Sequence, residues 1–393
     1  MPGNVVATWR AQLGKGLRAL EEQDQRRTLA EIQGVNLCSN DYLGLAQHPA
    51  LHDAAVHAVQ DATRVGGTGS RLLSGQMGCW TELEAEFAEF VGTEAALFFG
   101  SGYAANMGLL SALVGTDDVV YSDVLNHASL IDGMRLSGAR KVIYPHLDLD
   151  ALESSLRQDA GAPWRRIIVT ESIFSMNGDV APLKDMGALA DRFGAAMIVD
   201  EAHATGVHGG GGRGLAADSE ILPQVLATIH TCGKALGCAG AFVCGPVVLK
   251  DHLINHARTF IYSTALPPYF AKQISAALKL ASTMDMERQV LLKRASGLIL
   301  ALRHVGFDTG SSASQIVPVV LGKNEDTLQA AEHLQQDGFA VRAIRPPTVP
   351  VGCARLRLSL TTRIAEEELR RLVQSLVNWR ERKPATRLVM RHA

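Results

Sequence analysis

Two apolar runs end in residues that could do chemistry. AMIVDEAH delivers Asp200 with His203 three residues on, and HTCGKALG delivers Thr231 and Lys234. In an open α/β sheet, ligands bind outside the carboxyl ends of the strands. Taken singly, an acid at a strand end is more often a helix cap or ion-pair partner, and a lysine is more often a solvated one. Lys234, however, stands among Gly233, Ala235, Leu236, Gly237, Cys238 and Ala239, with no acid near it in sequence. A lysine in small, apolar surroundings has its pKa lowered and becomes an imine-forming nucleophile. A phosphate cup is the third component. In GSGYAAN (100–106), Gly102 lets the backbone approach an anion closely, and the N–H groups of Gly102 and Tyr103 would point at it from a helix N-terminus. This is not the G-x-G-x-x-G pattern, and a glycine turn alone does not define an anion site. GGTGSRLLSG (66–75) reads first as a backbone turn, because Gly-Ser-Arg at 69–71 lacks the G-K-[ST] of a Walker loop.

The elements that position these residues are legible as short apolar runs closed by polar or glycine clusters. They are ALFF near residue 97, DVVYSD (118–123), KVIYPH (141–146), RIIVTES (166–172), AAMIVDEAH (195–203), LATIHTCGK (226–234) and GAFVCG (240–245), with helical segments such as Leu183 to Arg192 between them. Repeated βα units predict a mainly parallel, doubly wound sheet. Before them, Val6, Trp9, Leu13, Leu17 and Leu20 recur at helical steps and predict an amphipathic N-terminal helix. After Pro267-Pro268 a long helical stretch reaches about His304. Then come strand-like IVPVVL (316–321), a helix over Thr327 to Gln336, strand-like FAVRAI (339–344) and RLRLSL (355–360), and a final helix from Glu366. The basic tail after Arg380 reads as solvated.

Composition excludes several classes. At 393 residues and 42.1 kDa the chain suits two packed domains, and 47% apolar with 20% charged residues is ordinary for a globular protein. A net charge of -2 carries no footprint for nucleic acid or an anionic membrane. The uncharged stretch from Ala95 to Thr116 is too rich in glycine and serine to span a bilayer. MPGNVVATWR lacks the pattern of a secretory signal, and the six cysteines show no C-x-x-C spacing, so neither a metal site nor a disulfide framework is expected and a cytoplasmic location is.

A lysine for an imine, a phosphate cup, and an acid with a nearby imidazole are the set that pyridoxal phosphate needs. With CSNDYLGL (38–45), GGTGSRLLSG, NHASLIDG (126–133), SIFSMNGDVAPL (172–183), DEAHATGVHG (200–209), HTCGKALG and IYSTALPP (261–268), the chain resembles the α-oxoamine synthases over nearly its whole length. The resemblance implies a pyridoxal-phosphate-dependent α/β fold of the aspartate-aminotransferase type (fold type I). Residues 1–40 would form an N-terminal helical arm, 41–280 the large cofactor-binding domain and 281–393 a smaller α+β domain. It also implies roles. Lys234 would hold the cofactor and move the substrate Cα proton, Asp200 would keep the ring nitrogen protonated, and His203 and Ser175 would bond the ring's phenolic oxygen. His127 would stack on the ring, and Gly102, Tyr103 and Thr231 would bind phosphate, with Ser263 or Thr264 adding a donor from a partner subunit. Asn40 and Arg357 would hold the amino-acid carboxylate, while Thr348, Arg345 and Arg26 would meet the acyl substrate. Ala204, where many relatives have glycine, and Cys353, inside the C-terminal motif, depart from the family pattern.

IRPPTVPVGCARLRLSL (344–360) is most similar to the family members that condense L-alanine with a pimeloyl thioester, on coenzyme A or on a carrier protein. A homodimer sharing its active sites would follow. Alternatives are a member using glycine with acetyl- or succinyl-CoA, a serine-using long-chain relative, a nucleotide-binding oxidoreductase, and a silent paralogue. The last conflicts with intact Lys234, Asp200, His203 and His127.

Overall fold

Strands covered by helices on both faces read as unbroken apolar runs rather than alternating ones, and that is how the central strands of this chain are placed. In the computed structural model, which describes residues 5–382, the chain opens with helix α1 (Val5–Glu22), strand β1 (Val35–Asn36) and helices α2 (Pro49–Gln60) and α3 (Gly78–Val91). The βα succession follows: β2 (Ala95–Phe99), α4 (Gly102–Leu113), β3 (Asp118–Asp123), α5 (Ala128–Ser137), β4 (Arg140–Tyr144), α6 (Leu149–Gln158), β5 (Arg165–Glu171), α7 (Leu183–Phe193), β6 (Ala195–Asp200), α8 (Leu215–Asp218), β7 (Val225–Thr231) and β8 (Ala241–Gly245). These seven strands make one sheet in the order β2-β8-β7-β6-β5-β3-β4. Only β8 runs against its neighbours. Ile167, Val169 and Ile198 pack on one face with Leu109 and Leu130, while Ile168, Met197 and Val199 pack on the other with Leu152 and Met186.

The chain continues through α9 (Val247–His256), α10 (Arg258–Ile261), α11 (Tyr269–Ser282), α12 (Asp285–His304), β9 (Ile316–Gly322), α13 (Asn324–Gln336), β10 (Phe339–Ala340), β11 (Ala343–Ile344), β12 (Ala354–Ser359) and α14 (Glu366–Arg382). Strands β11, β12 and β9 form an antiparallel sheet in that order. The helical stretch after Pro268 is thus two helices, parted at Thr283 and Met284. The run FAVRAI also divides. β10 pairs in parallel with β1, whereas β11 pairs with β12, so Val341 and Arg342 carry the chain from one sheet to another. Pro346 and Pro347 follow and offer no N–H with which to prolong β11. The loop 66–75 closes as a π-type turn over Arg71–Gly75. Most of the basic tail lies outside the described residues.

Two features bear on the site. The N-terminal segment is stitched to the C-terminal strand. Ser359 N–H donates to the Leu37 carbonyl and Thr362 N–H to that of Tyr42, both at 2.9 Å. Asn36 Oδ1 accepts the N–H groups of Cys38 and Ser39 at 2.9 and 3.1 Å, fixing the turn that carries Asn40 and Tyr42. The second feature is α1, whose apolar side faces outward: Trp9 is 62% and Leu13 64% exposed, and both line a shallow groove with Leu17 and Leu20. Among the described residues, no helix is long and apolar enough to cross a membrane.

Candidate active site

Five strands of the sheet point their carboxyl ends at one cavity of about 300 Å³. The turn after β2 brings Ser101, Gly102 and Tyr103, the one after β3 brings His127, β5 ends on Glu171, β6 on Asp200 and β7 on Thr231. Lys234 enters from the tight loop after β7, which is closed by Cys232 N–H to the Gly240 carbonyl and Gly237 N–H to that of Lys234, each at 2.9 Å. Lys234 Nζ lies 3.0 Å from His203 Nε2. Burial draws the Lys234 ammonium down to about 8 against the attraction of Asp200 and Glu171, and the Arg357 guanidinium adds to the depression. Burial, with Lys234, Arg357 and His127 around it, also holds His203 well below the usual histidine range, so its imidazole is neutral.

Asp200 is 5% exposed and both of its oxygens are engaged. Oδ1 accepts the Ala202 N–H at 2.9 Å, and Oδ2 accepts the Asn106 amide at 2.6 Å. Asn106 also donates to Ser129 Oγ at 2.9 Å, and Ser129 Oγ lies 2.7 Å from His127 Nδ1. His127 caps α5 by accepting the Ser129 N–H on Nδ1, which fixes the ring over the cavity. Asn106 and Ser129 were not singled out by the motifs, although Asn106 closes the GSGYAAN segment.

The segment expected to bind phosphate opens α4 and lines this cavity. Ser101 caps α4 by accepting the Ala104 N–H. A Cβ on Gly102 would meet Thr231 Cγ2 at 2.6 Å, so only glycine lets the helix end and Thr231 converge. Tyr103 contributes from the same turn, with its hydroxyl directed to Asp132 and its ring edge-on to His127. Ser263 and Thr264 stand outside this lining, on an exposed segment where Thr264 bridges to Ser70 of the glycine-rich loop. The cavity also holds two buried polar atoms without a hydrogen-bond partner among the described residues, Asn106 Oδ1 and Glu171 Oε1. A lysine amine, an anchored carboxylate, a glycine-lined helix end and unsatisfied polar atoms fit pyridoxal phosphate. Lys234 would hold its aldehyde carbon, Asp200 its ring nitrogen, and Gly102, Tyr103 and Thr231 its phosphate.

A hydrogen-bonded chain leads from this cavity to β12. His203 Nδ1 lies 2.6 Å from the Tyr42 hydroxyl, which is 3.1 Å from Asn40 Oδ1. Asn40 Oδ1 in turn accepts Arg357 Nη1 and Nη2, both at 3.1 Å. The residues expected to hold an amino-acid carboxylate are therefore bonded to each other, with Tyr42 as a link the motifs did not single out. Ser175 presents its carbonyl to Arg357 Nε and lines a second cavity rather than the first.

That second cavity, of about 740 Å³, shares His127 with the first. Thr348 and Cys353 line it. Arg26 does not, being paired with Glu21 on the surface. Its neighbour Arg27 takes the place, donating to Thr348 Oγ1 at 3.2 Å. Arg345 is turned to the Asp24 carbonyl and stands outside the lining.

A family model for aminotransferase class I and II matches residues 32–376. The 8-amino-7-oxononanoate synthase of Geobacter sulfurreducens is 46% identical over 367 residues, 93% of each chain. A high-resolution structure of serine palmitoyltransferase (SPT) with PLP superposes with a TM-score of 0.87 at 26% identity, covering 96% of this chain and 98% of that one. The 8-amino-7-oxononanoate synthase of Francisella tularensis does so with 0.77 at 28%, covering 88% and 98%. The chain belongs to the aminotransferase class I and II family, with the fold type I architecture that its sequence led us to expect. Within that family its kind is the pyridoxal-phosphate-dependent α-oxoamine synthase, an acyl-transferring enzyme.

Proposed function

We propose that the chain is an 8-amino-7-oxononanoate synthase, joining L-alanine to a pimeloyl thioester with loss of carbon dioxide and free thiol, a step of biotin biosynthesis. The observation that carries this reading is the meeting of two cavities at His127, one holding Lys234 and the other larger and largely apolar. Relatives named 8-amino-7-oxononanoate synthase support the same product.

When bound, pyridoxal phosphate supplies an aldehyde to capture the amine and a ring that accepts the electron pair left at Cα. The chain supplies the rest. Asp200, fixed by Ala202 and Asn106, would accept the cofactor's ring N–H and keep that nitrogen protonated. Arg357 offers a planar fork to the alanine carboxylate, and Asn40 sets its angle. Lys234, at about 8, has free base available near neutral pH to take the Cα proton and later return one. His203, neutral and tethered to Tyr42, steadies the amine without competing for its charge. In the net reaction a bond forms between alanine Cα and the acyl carbon, the carbon–sulfur bond breaks, and the thiol leaves. The former alanine carboxylate departs as carbon dioxide.

The uncovered apolar side of α1 and the exposed Ser263 and Thr264 support a homodimer in which these surfaces meet a second copy. The deciding assay is thiol release by the cofactor-loaded enzyme. One tube holds pimeloyl-CoA and L-alanine, and the others hold glycine with acetyl-CoA or succinyl-CoA, and serine with a long-chain acyl-CoA. Release in the first alone is expected. Release only in another would move the substrate, and pimeloyl-carrier protein in a further tube ranks the two carriers.

A further inference from the structure

Arg355 and Arg357 stand two residues apart on β12, so their side chains leave the same face about 6.7 Å apart. They serve different cavities. Arg357 reaches Asn40 beside the lysine-bearing one, and Arg355 lines the second. Arg355 is 8% exposed. Its Nη1 donates to Asn177 Oδ1 and its Nε to the Cys353 carbonyl at 3.0 Å, both neutral acceptors.

The acids that act on Arg355 do so from a distance and are engaged elsewhere. Asp179 accepts Ser311 Oγ at 2.6 Å and meets His146 Nε2 at 2.8 Å, while Asp308 accepts the Gly310 N–H at 2.8 Å. Among the described residues no ion pair to Arg355 is formed, and burial leaves its pKa lowered. A guanidinium in such a place is costly unless an anion comes to it. The walls beside it, Leu125, Ile131, Phe174, Met176 and Val349, suit a run of methylenes. Arg27, the other cation of this cavity, is exposed and bonded to Thr348.

We infer that Arg355 reads the far end of the acyl substrate: its guanidinium pairs with the terminal carboxylate of an α,ω-dicarboxylic acyl thioester and selects that class over fatty acyl thioesters of equal length. The inference rests on the reaction proposed above. β12 thereby carries one arginine for each substrate's carboxylate.

The test measures kcat/KM for pimeloyl-CoA and heptanoyl-CoA with L-alanine in the cofactor-loaded wild type, Arg355→Met, Arg355→Lys and Arg27→Gln. In wild type the ratio favours pimeloyl-CoA. Arg355→Met lowers that ratio by about tenfold or more, and Arg355→Lys keeps part of it. Thermal unfolding and cofactor absorbance establish that each variant is folded, and Arg355→Lys decides where Arg355→Met is not. Equal loss on both thioesters, or a ratio that collapses in Arg27→Gln instead, overturns the inference. If wild type turns over neither thioester, the proposed reaction fails on its own. Calorimetric binding of pimelate against heptanoate to wild type and the Arg355 variants then decides the carboxylate reading, which requires a pimelate preference that Arg355→Met loses.

Discussion

Glu171 and Asp200 are register partners at the ends of adjacent parallel strands, two carboxyl groups in one buried wall. Asp200 has both oxygens engaged by N–H donors, whereas Glu171 Oε1 has no partner among the described residues. Burial, and then the charge of Asp200, push Glu171 up to about 8 despite the pull of Lys234. A carboxyl whose folded pKa lies above its unfolded value costs stability as pH rises from the unfolded toward the folded value. Glu171→Gln should therefore stabilise the cofactor-free chain increasingly between pH 5 and 8, which thermal melts across that range would register. A constant gap between the two melting curves would mean that Glu171 does not titrate there.

Lys234 makes a second pH-dependent statement. With its ammonium lowered to about 8, the nucleophilic free amine becomes the majority form above that pH. Capture of pyridoxal phosphate by the cofactor-free chain, followed by absorbance, should accelerate from pH 6.5 and level off past 8. A rate still climbing toward pH 10 would place the amine in an ordinary solvated state. Lys234→Ala should remove turnover altogether while leaving the fold intact.

Arg357 is expected to act on binding of the amino acid. It is 8% exposed, with neutral acceptors in Asn40, Ser175 and Ser359. Arg357→Gln should raise KM for L-alanine roughly ten- to hundredfold through loss of a charged hydrogen-bond pair. Steady-state kinetics at saturating thioester would show it, and an unchanged KM would remove Arg357 from the carboxylate site.

Tyr42 tethers His203 through a buried 2.6 Å contact. Tyr42→Phe leaves His203 Nδ1 without that partner and should cost about 1–3 kcal/mol of stability. Denaturant unfolding measures the cost, and stability equal to wild type would show that the contact contributes nothing net.

What could be read without the fold follows from the range of each interaction. Asp200, Thr231 and Lys234 close apolar runs, so local pattern alone put them at strand ends. Asn40 and Arg357 lie 317 residues apart, and only resemblance to a family brought them together. Tyr42 and His203 are separated by 161 residues, and nothing in either neighbourhood announces the other. Arg26 is the residue the family resemblance names, and the segment between α1 and β1 has no periodicity to show that Arg27 is the one that turns inward. FAVRAI looked like one strand because composition records burial and not the sheet in which a residue pairs.

The stitching of residues 37–42 to β12 has a consequence for how the molecule comes into being. Lys234 and the strand ends around it are made well before Arg357 leaves the ribosome, yet the proposed carboxylate anchor of Asn40 and Arg357 needs both the start and the close of the chain. A nascent or truncated product ending before β12 would own the amine but have no means of orienting an amino acid. Competence thus arrives late in synthesis, because Leu356 and Leu358 of β12 also complete the core that holds Leu37, Tyr42 and Leu236.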